Sequence, residues 1–555
     1  MVVIHALGHL IALIAGVHAA SPEVQLGGTT LIGRDVTLLH QDFFGGIPYA
    51  EPPLGKLRLR PPVLKTSLNT TQFDASNFGD SCLQPQQSGV PAVPNQSEDC
   101  LTINIFRPTG TLPNASLPVM FWTYGGGFEF GSSTMFNGTS IVAQSVARGT
   151  PIIYVNYNYR LGPLGFPQGQ EAGNRKALNL ALEDQVTALQ WVQANIRAFG
   201  GDRTKVTVFG ESAGAVMTAI QLLTPDFSKL ARAAIFESGS AASSLTFDAQ
   251  QHQVDWDNFV SGVPGCENLS KTNNTFGCLQ AANSTAILAG LLISSAETTE
   301  QFPWSPTVDG PGGFIPELPS MLFSKNIFAK IPFISGTNLD EGTLFTPTTP
   351  NYTTAVVKAG IIATYSPPLV SEAQLESAAD RLLELYPDIP ALGSPFNTGN
   401  DTFGLSPGFK RSAALVGDTG FHSQRRLWTQ TASNANVKTF GYLFTQPQPE
   451  DPPFLGVGHG SEIAYVYGTV LVNGTASDTL LSTTMIDYWV SFATSLDPND
   501  GKGSARPKWE QYTPDNQVLI QLNGDNLTTI RDDYRKEGID FINSVPLTFY
   551  HRRSL

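Results

Sequence analysis

The sequence predicts an α/β fold in which helices cover both faces of a large, mostly parallel sheet. Runs of β-branched and aromatic residues alternate with longer segments of helical periodicity along most of the chain. This alternation is typical of parallel strands joined by crossover helices. The 555 residues are 41% hydrophobic, which is enough to bury a substantial core. The sharpest single indication is the strand–turn–helix pattern VTVFGESAGAVM at 206–217.

Periodicity and turn residues place the individual elements in order. Residues 24–49 predict short strands separated by glycine turns. Apolar or alternating runs predict strands over 101–106, 118–124, 151–157, 206–209, 233–236, 331–336, 437–444 and 517–522, the last as an edge strand. Helical spacing predicts helices over 174–199, 213–223, 372–386 and 483–494. Between 240 and 320 the pattern loosens, apart from a helical stretch at 284–294, and predicts an insertion that caps the functional side of the sheet.

No repeat or long linker divides the chain, so residues 21–555 are expected to form a single domain after a signal peptide at 1–20. That leader is apolar and ends in Val17-His18-Ala19-Ala20, although it lacks the usual basic start. No later segment is long and apolar enough to predict an integral membrane span. The net charge of −14 and a pI near 5.0 argue against nucleic acid or an anionic membrane surface as partner.

Cysteines and sequons predict an extracellular protein. Cys82 with Cys100 and Cys266 with Cys278 form two close pairs, and local disulfides are expected because each pair brackets a short polar loop. Each closed loop contributes roughly 3 kcal/mol if it is unstrained. No CxxC motif or His/Cys cluster predicts a metal site. Eleven N-glycosylation sequons are present, at Asn69, Asn95, Asn114, Asn137, Asn268, Asn273, Asn283, Asn351, Asn400, Asn473 and Asn526.

The pentapeptide Gly210-Glu211-Ser212-Ala213-Gly214 predicts a serine nucleophile. A serine hydroxyl is a weak nucleophile and has to project from a tight turn toward a base. Glycines on both sides of Ser212 allow a strained strand-to-helix turn, and the helix that follows directs its free N–H groups at the reaction centre. A plain structural corner is the alternative interpretation of the same pattern.

The run Gly125-Gly126-Gly127 is a second candidate functional segment. Three consecutive glycines cost backbone entropy, and they are best explained where backbone N–H groups approach a ligand. A flexible turn is the alternative. The aromatic residues Phe128 and Phe130 argue against a mere linker, because they would pack.

The nucleophile needs a base, usually a histidine. The chain has eight histidines, and their positions along the sequence reduce the number of candidates. Three of them belong to the predicted signal peptide, and in this fold class the order along the chain is serine, acid, histidine. Among His422, His459 and His551, His459 is favoured over His422, because glycines on both sides place it on a loop that follows a strand. His551 lies in a basic tail.

The acid that orients the base should follow a strand between the serine and the histidine. The predicted strand at 331–336 leads to Asp340 and Glu341. The residues alone do not choose between these neighbours, whose side chains diverge, and Asp309 is a weaker third candidate. The commoner fate of any such carboxylate is a solvated loop position or a helix cap.

In these motifs the chain resembles the type-B carboxylesterase/lipase family of α/β-hydrolases, and it is most similar to the secreted fungal lipases and esterases. The resemblance runs from about 24 to 549 and implies an α/β-hydrolase fold with cap insertions. The matching motifs, in order, are Ser97-Glu98-Asp99-Cys100-Leu101, Tyr124-Gly125-Gly126-Gly127-Phe128, Phe209-Gly210-Glu211-Ser212-Ala213-Gly214, Thr307-Val308-Asp309-Gly310 and Asn338-Leu339-Asp340-Glu341-Gly342.

The resemblance implies a triad of Ser212, Glu341 and His459 that acts through an acyl-enzyme, and it thereby selects Glu341 over Asp340. Neither a metal nor another cofactor is needed for this chemistry. The implied partner is a small-molecule ester, and the resemblance gives no oligomeric state.

The resemblance also implies the groups around the triad. Backbone N–H groups of Gly126, Gly127 and Ala213 would form an oxyanion hole, which agrees with the separate interpretation of the glycine run as a ligand-approaching segment. Glu211 and Ser238 match positions that support the triad without reacting.

The loop between Cys82 and Cys100 departs from the lipases of the family, in which it is a long apolar flap. Here it encloses seventeen residues, mostly polar, and it lacks the tryptophan that binds choline in cholinesterases. The sequence therefore favours a secreted hydrolase of short to medium or otherwise soluble esters. The alternatives are a triacylglycerol lipase, a biosynthetic acyltransferase or lactone hydrolase and, more remotely, a non-catalytic cholinesterase-like binding protein.

Overall fold

A computed structural model describes residues 21–86, 92–245, 248–298, 301–365, 369–471 and 474–549. The predicted signal peptide at 1–20 and the sequon asparagine Asn473 lie outside these ranges. Within them, no helix combines the length and the apolar character that crossing a bilayer requires.

The strands occur in two regions, an early group before residue 160 and a later group that alternates with helices. They are β1 (Glu23–Leu26), β2 (Thr29–Ile32), β3 (Arg34–Val36), β4 (Gln41–Pro48), β5 (Gln72–Asp74), β6 (Ser81–Cys82), β7 (Gln96–Ser97), β8 (Thr102–Pro108), β9 (Leu117–Thr123), β10 (Ile153–Tyr157), β11 (Gly201–Glu211), β12 (Ala233–Glu237), β13 (Phe333–Asn338), β14 (Thr439–Phe444), β15 (Val518–Leu522) and β16 (Thr528–Arg531).

Helices cover the sheet and form the insertions at its functional edge. They are α1 (Thr139–Ala147), α2 (Gly162–Gly165), α3 (Gly169–Asn174), α4 (Leu180–Asn195), α5 (Ala213–Gln221), α6 (Gln253–Ser261), α7 (Phe276–Ala281), α8 (Ser284–Glu297), α9 (Pro319–Ser324), α10 (Thr354–Thr364), α11 (Glu372–Leu385), α12 (Gly408–Gly417), α13 (Ser423–Asn434), α14 (Ile463–Val466), α15 (Ala476–Ser495), α16 (Lys536–Ser544) and α17 (Pro546–Phe549).

One sheet of eleven strands dominates the described residues, in the order β16-β15-β14-β13-β12-β11-β9-β10-β8-β4-β3. The pairings from β10 to β15 are parallel, whereas β8 with β10 and β15 with β16 are antiparallel. Every residue of β10, β12 and β13 is buried, because helices pack on both faces and leave no solvent side. The predicted α/β class and mostly parallel sheet are therefore confirmed.

The structure differs from the predicted elements at three places. The predicted helix over 174–199 is divided, because Asn179 adopts a left-handed conformation with φ of 61° just before α4 begins. Helix α15 begins at Ala476 rather than near 483, where Thr475 and Asp478 form a reciprocal capping box at its start. The predicted edge strand at 517–522 is not the edge, since the short strand β16 pairs outside it.

Both expected disulfides are present, between Cys82 and Cys100 and between Cys266 and Cys278. The buried side chain of Arg58 ties the first disulfide loop to the insertion that carries the second. Its guanidinium donates twice to Glu98, two residues before Cys100, at 2.6 Å. It also donates to the carbonyls of Leu279 and Ala282 at the end of α7, the latter at 2.7 Å.

A buried ion cluster joins α13 to the last strands of the sheet. Asp532 accepts hydrogen bonds from Arg425 at 2.6 and 2.7 Å and from Arg426 at 3.0 Å. All three side chains are almost fully buried. Burial alone would raise the pKa of Asp532, but the two guanidinium groups outweigh it and lower the pKa to about 2.

We predict that Asp532→Asn lowers the free energy of unfolding by about 3–5 kcal/mol, because it leaves two guanidinium groups buried without their counter-charge. Since the folded-state pKa lies below the unfolded value of about 3.9, the carboxylate's contribution is complete above pH 4 and is lost as the pH falls toward 2. Urea unfolding at pH 7 and at pH 3 measures both effects.

Asp533→Asn is the matched control, because the neighbouring pair of Arg531 with Asp533 is largely exposed and exposed pairs contribute little. Equal unfolding midpoints for the two variants at pH 7 would contradict the assigned role of Asp532.

Candidate active site

Ser212 occupies a strained turn between β11 and α5. Its φ of 53° and ψ of −125° are unusual for a residue with a side chain, so the surrounding structure has to hold the turn in place. The flanking glycines are required by close packing. A Cβ on Gly210 would lie 2.6 Å from the carbonyl oxygen of Thr123, and a Cβ on Gly214 would collide with the same carbonyl.

The glycine run packs directly against this turn. A Cβ on Gly125 would lie 2.6 Å from Oε2 of Glu211 and 2.8 Å from Cβ of Ser212. Gly126 and Gly127 have φ values of 97° and 61°, in the region that favours glycine. Neither of their N–H groups donates to a backbone carbonyl of the described residues. The predicted role of these N–H groups as oxyanion donors stays a prediction, and within the described residues neither N–H group is committed to a backbone hydrogen bond.

The residues predicted as the oxyanion hole line one cavity together with Ser212 and His459. The cavity has a volume of about 440 Å³. Ala213 lines it too, and as the first residue of α5 its N–H group has no intrahelical partner. Much of the remaining lining is apolar or aromatic, and the large apolar side chains are Phe128, Val216, Phe302, Leu344, Phe345, Phe421 and Ile463.

Glu341 and His459 form a short hydrogen bond on the loops that follow β13 and β14. Nδ1 of His459 lies 2.6 Å from Oε2 of Glu341, so the carboxylate accepts and the ring donates at Nδ1. The other oxygen of Glu341 accepts from the backbone N–H of Asn338 at 2.7 Å and from Oγ of Ser238 at 2.6 Å. Both oxygens of Glu341 are thus held, and the imidazole is oriented with them.

The rival acids have structural partners elsewhere. Asp340 accepts from the backbone N–H groups of Phe396 and Val457, at 2.8 and 2.9 Å, and clamps the loop that leads to His459. Asp309 caps the turn ahead of Ile315. Its Oδ1 accepts a hydrogen bond from the backbone N–H of Ile315 at 2.7 Å.

The rival base His422 lies in a π-helical turn between α12 and α13, away from the cavity. Its Nδ1 lies 3.1 Å from the hydroxyl of Thr337 and 3.0 Å from that of Tyr534. It is fully buried. Burial and the guanidinium groups of Arg535 and Arg425 hold its pKa well below the usual range.

The expected hydrogen bond between Ser212 and His459 is not formed. Nε2 of His459 is buried and has no well-aligned hydrogen-bond partner among the described residues. It lies instead 3.1 Å from Oε1 of Glu211. Such bonds are often loose in enzymes without substrate, and here the carboxylate next to the serine competes for the same ring nitrogen.

Two further carboxylates near the site are buried and were not predicted from the sequence, those of Glu462, which raises the pKa of His459, and of Glu237. Glu462 accepts from Nδ2 of Asn338 at 2.5 Å and from Oγ of Ser238 at 3.3 Å. Glu237 accepts from the indole N–H of Trp489 at 2.7 Å. The spacing of Glu462 three residues after His459 was the available signal. Glu237 adjoins Ser238 but carries no motif that points to it.

This concentration of acid shifts the pKa values of the group. Burial raises the pKa of Glu211, with His459 opposing it, and burial also raises the pKa of Glu237 and Glu462. Burial disfavours the imidazolium of His459, but the carboxylates of Glu211 and Glu341 outweigh this and raise its pKa above the usual value. His459 therefore holds its proton more tightly in this site than a histidine side chain exposed to water does.

The other residues singled out from the sequence are the predicted glycosylation sites. Every sequon asparagine within the described ranges is solvent-exposed, as a glycan acceptor has to be. One of them, Asn283, also caps α8 by accepting from the N–H of Ala286 at 2.9 Å. Across the described ranges, no group of three His, Cys, Asp or Glu side chains is placed to hold a metal ion.

Comparisons with known proteins identify the family of the chain. A model of the carboxylesterase family matches residues 20–542. The chain is 34% identical to Lipase 2 of Geotrichum candidum over 95% of this chain and 96% of that protein. It is 35% identical to secreted lipase 1 of Botryotinia fuckeliana over 96% and 94% of the two chains.

Solved structures give the same result at the level of the fold. The crystal structure of EstA from Aspergillus niger superposes with a TM-score of 0.81 at 25% identity and covers 96% of this chain and 99% of its own. A structure titled PNB esterase has a TM-score of 0.74 at 27% identity, over 93% and 99% of the two chains. With a family match over nearly its whole length, the chain belongs to the carboxylesterase family.

Proposed function

We propose that this protein is a secreted carboxylic-ester hydrolase that acts through an acyl-enzyme on Ser212, within one catalytic domain at 21–555. The observation that carries the proposal is that His459, oriented by its hydrogen bond to Glu341, lines the same cavity as a strained serine. Two disulfides and the exposed sequons support secretion, as do secreted relatives such as that of Botryotinia fuckeliana.

In the proposed reaction, Nε2 of His459 takes the proton of Ser212 as Oγ attacks the ester carbonyl carbon. The carbonyl oxygen becomes an oxyanion and accepts hydrogen bonds from the N–H groups of Gly126, Gly127 and Ala213, each worth about 3 kcal/mol in such sites. The alcohol leaves with the proton from His459. Water then attacks the acyl-enzyme, again with His459 as base, and releases the acid.

The cavity favours acyl groups of short to medium length. Its volume of about 440 Å³ compares with the roughly 150 Å³ that hold one benzene molecule in an engineered apolar cavity. The aromatic wall of Phe302, Phe345 and Phe421 suits an unbranched or aromatic acyl group rather than a charged one.

Ser212→Ala should lower kcat for p-nitrophenyl butyrate by at least about 10⁴-fold, because the substitution removes the oxygen atom that attacks the ester. Ser238→Ala is the graded comparison. It removes one hydrogen bond to Glu341 and should lower kcat by only about 10–100-fold. Retention of burst kinetics by Ser212→Ala would refute the acyl-enzyme on Ser212.

The pH profile should report the raised pKa of His459. Because the base has to be neutral, kcat/KM rises as the pH increases through this pKa, and the acid limb should have its midpoint above about 6.5. Glu211→Gln removes a carboxylate 3.1 Å from Nε2, so the midpoint should move to lower pH. An unchanged midpoint would show that Glu211 does not influence the base.

A triacylglycerol lipase is the second candidate function, and one observation favours it. An apolar cavity of about 290 Å³ lies between α10 and α12, and Phe345 lines both this cavity and the catalytic one. A displaced Phe345 ring would connect them and admit a long acyl chain.

Val356→Trp tests this candidate, because Val356 lines the outer cavity and is 44% exposed. If long chains use that cavity, the variant should lower the ratio of laurate to butyrate hydrolysis by about tenfold, the scale of a few lost apolar contacts. Val146→Trp, on the exposed face of α1, is the control. An unchanged ratio in Val356→Trp would remove this support for a lipase.

A further inference from the structure

Glu237 is a buried acid that the proposed reaction does not use, although it lies between two members of the proposed triad. It ends β12, and its backbone carbonyl accepts a hydrogen bond from the N–H of Ser212 at 2.9 Å. The next residue, Ser238, has a φ of 53° and donates from its hydroxyl to Glu341 at 2.6 Å. The dipeptide 237–238 therefore contacts both the nucleophile and the acid.

The side chain of Glu237 joins this dipeptide to the helical layer. It is fully buried, and its Oε1 accepts from the indole N–H of Trp489 on α15 at 2.7 Å. The indole packs against the rings of Tyr442 and Trp509, whose centroids lie 5.5 and 6.0 Å away. Because the donor is itself held by packing, this hydrogen bond fixes the end of β12 against α15.

The surroundings of the second oxygen, Oε2, favour a neutral acid. Oε2 is buried and has no hydrogen-bond partner among the described residues. The charged groups that act on Glu237 are the carboxylates of Glu462, just ahead of α14, and of Glu211 on β11. A negative charge would be neither solvated nor paired here, whereas a proton leaves only one O–H without an acceptor, which costs far less. Burial thus holds the pKa of Glu237 well above its usual range.

The other titratable groups that act on this acid are tyrosine hydroxyls. Tyr154 on β10, Tyr442 on β14 and Tyr467 after α14 each interact with Glu237 electrostatically. All three are buried, and burial raises their pKa values, so they are neutral around pH 7. None of the strongest electrostatic interactions of Glu237 within the described ranges involves a cation.

We propose that Glu237 is a positioning residue for Ser212 and Glu341, and that it acts as a neutral acid. Its hydrogen bond to Trp489 holds in place the carbonyl that binds the N–H of Ser212 and the Ser238 hydroxyl that binds Glu341. The inference rests on the proposed hydrolase function and adds to it a residue that does not react. Glu237 does not line the catalytic cavity, so its effect on the reaction passes through these neighbours.

Glu237→Leu and Glu237→Gln test the positioning role. Leucine has a similar size but accepts no hydrogen bond, so kcat for p-nitrophenyl butyrate should fall about 10–100-fold. KM should not change, because the cavity wall is intact. Glutamine keeps an acceptor for the indole and should restore most of kcat. Rates are expressed per mole of folded enzyme, determined by urea unfolding, so a loss of stability alone would leave kcat unchanged.

The pH profile and the infrared spectrum test the charge state. Replacing a neutral acid by an amide removes no charge, so Glu237→Gln should leave the acid limb of kcat/KM at its wild-type midpoint, whereas Glu211→Gln should move it. At about pH 8, far above the ordinary carboxyl pKa of about 4.3, the carbonyl stretch of a protonated carboxyl should appear in the wild-type minus Glu237→Gln difference spectrum. Glu317→Gln is the control without this band, because Glu317 is partly exposed and paired with Lys325 at 2.6 Å.

Wild-type kcat in Glu237→Leu, or an equal loss in Glu237→Leu and Glu237→Gln, would overturn the positioning role. A lower acid-limb midpoint in Glu237→Gln, or no protonated-carboxyl band, would overturn the neutral acid. If Glu237→Leu does not fold, Trp489→Phe removes the donor of the same hydrogen bond and should lower kcat in the same way. A failure of the proposed function is distinguishable, because no acyl-enzyme would then form on Ser212 while the infrared band of Glu237 would remain.

Discussion

The close approach of three backbone segments at Ser212 is the constraint on which the site depends. The end of β9, the turn after β11 and the glycine run meet with no room for a Cβ at Gly125, Gly210 or Gly214. This contact forces the positive φ of Ser212, presents its hydroxyl to the cavity and places free N–H groups beside it. The strain is held by the parallel pairing of β11 with β9 on one side and with β12 on the other.

The second determinant is the amount of buried acid around one imidazole. Glu211, Glu341 and Glu462 lie close enough to His459 to influence its charge. The arrangement costs desolvation energy, which Asn338, Ser238 and the ring itself offset through hydrogen bonds. It also explains why the serine and histidine are not hydrogen-bonded here. A base held between two carboxylates is well oriented, but it has to be drawn away from Glu211 before it can serve Ser212.

The sequence predicted the parts of this molecule that depend on local patterns. The parallel strands, the elbow at 206–217 and the family resemblance all follow from short motifs with a physical reason. Local sequence does not distinguish Asp340 from Glu341, because adjacent carboxylates on a loop differ only in the direction in which the backbone presents them. Glu237 was missed since nothing marks a buried carboxylate at a strand end. The division of the 174–199 helix and the early start of α15 depend on single residues, Asn179 and Thr475, whose backbone roles outweigh apolar periodicity.

Arg58 couples the two disulfide-bonded segments, so that neither can be replaced independently of the other. Through its contacts with Glu98 and with the carbonyls at the end of α7, one side chain joins the first disulfide loop to a segment more than 220 residues further along the chain than Arg58 itself. The loop above the site is therefore not a module that can be transplanted by its cysteines alone. A chimaera that receives the first loop from a relative without a matching arginine, glutamate and helix end would bury an uncompensated charge beneath the loop. Natural divergence in this region is consequently expected to proceed by concerted replacement of both loops.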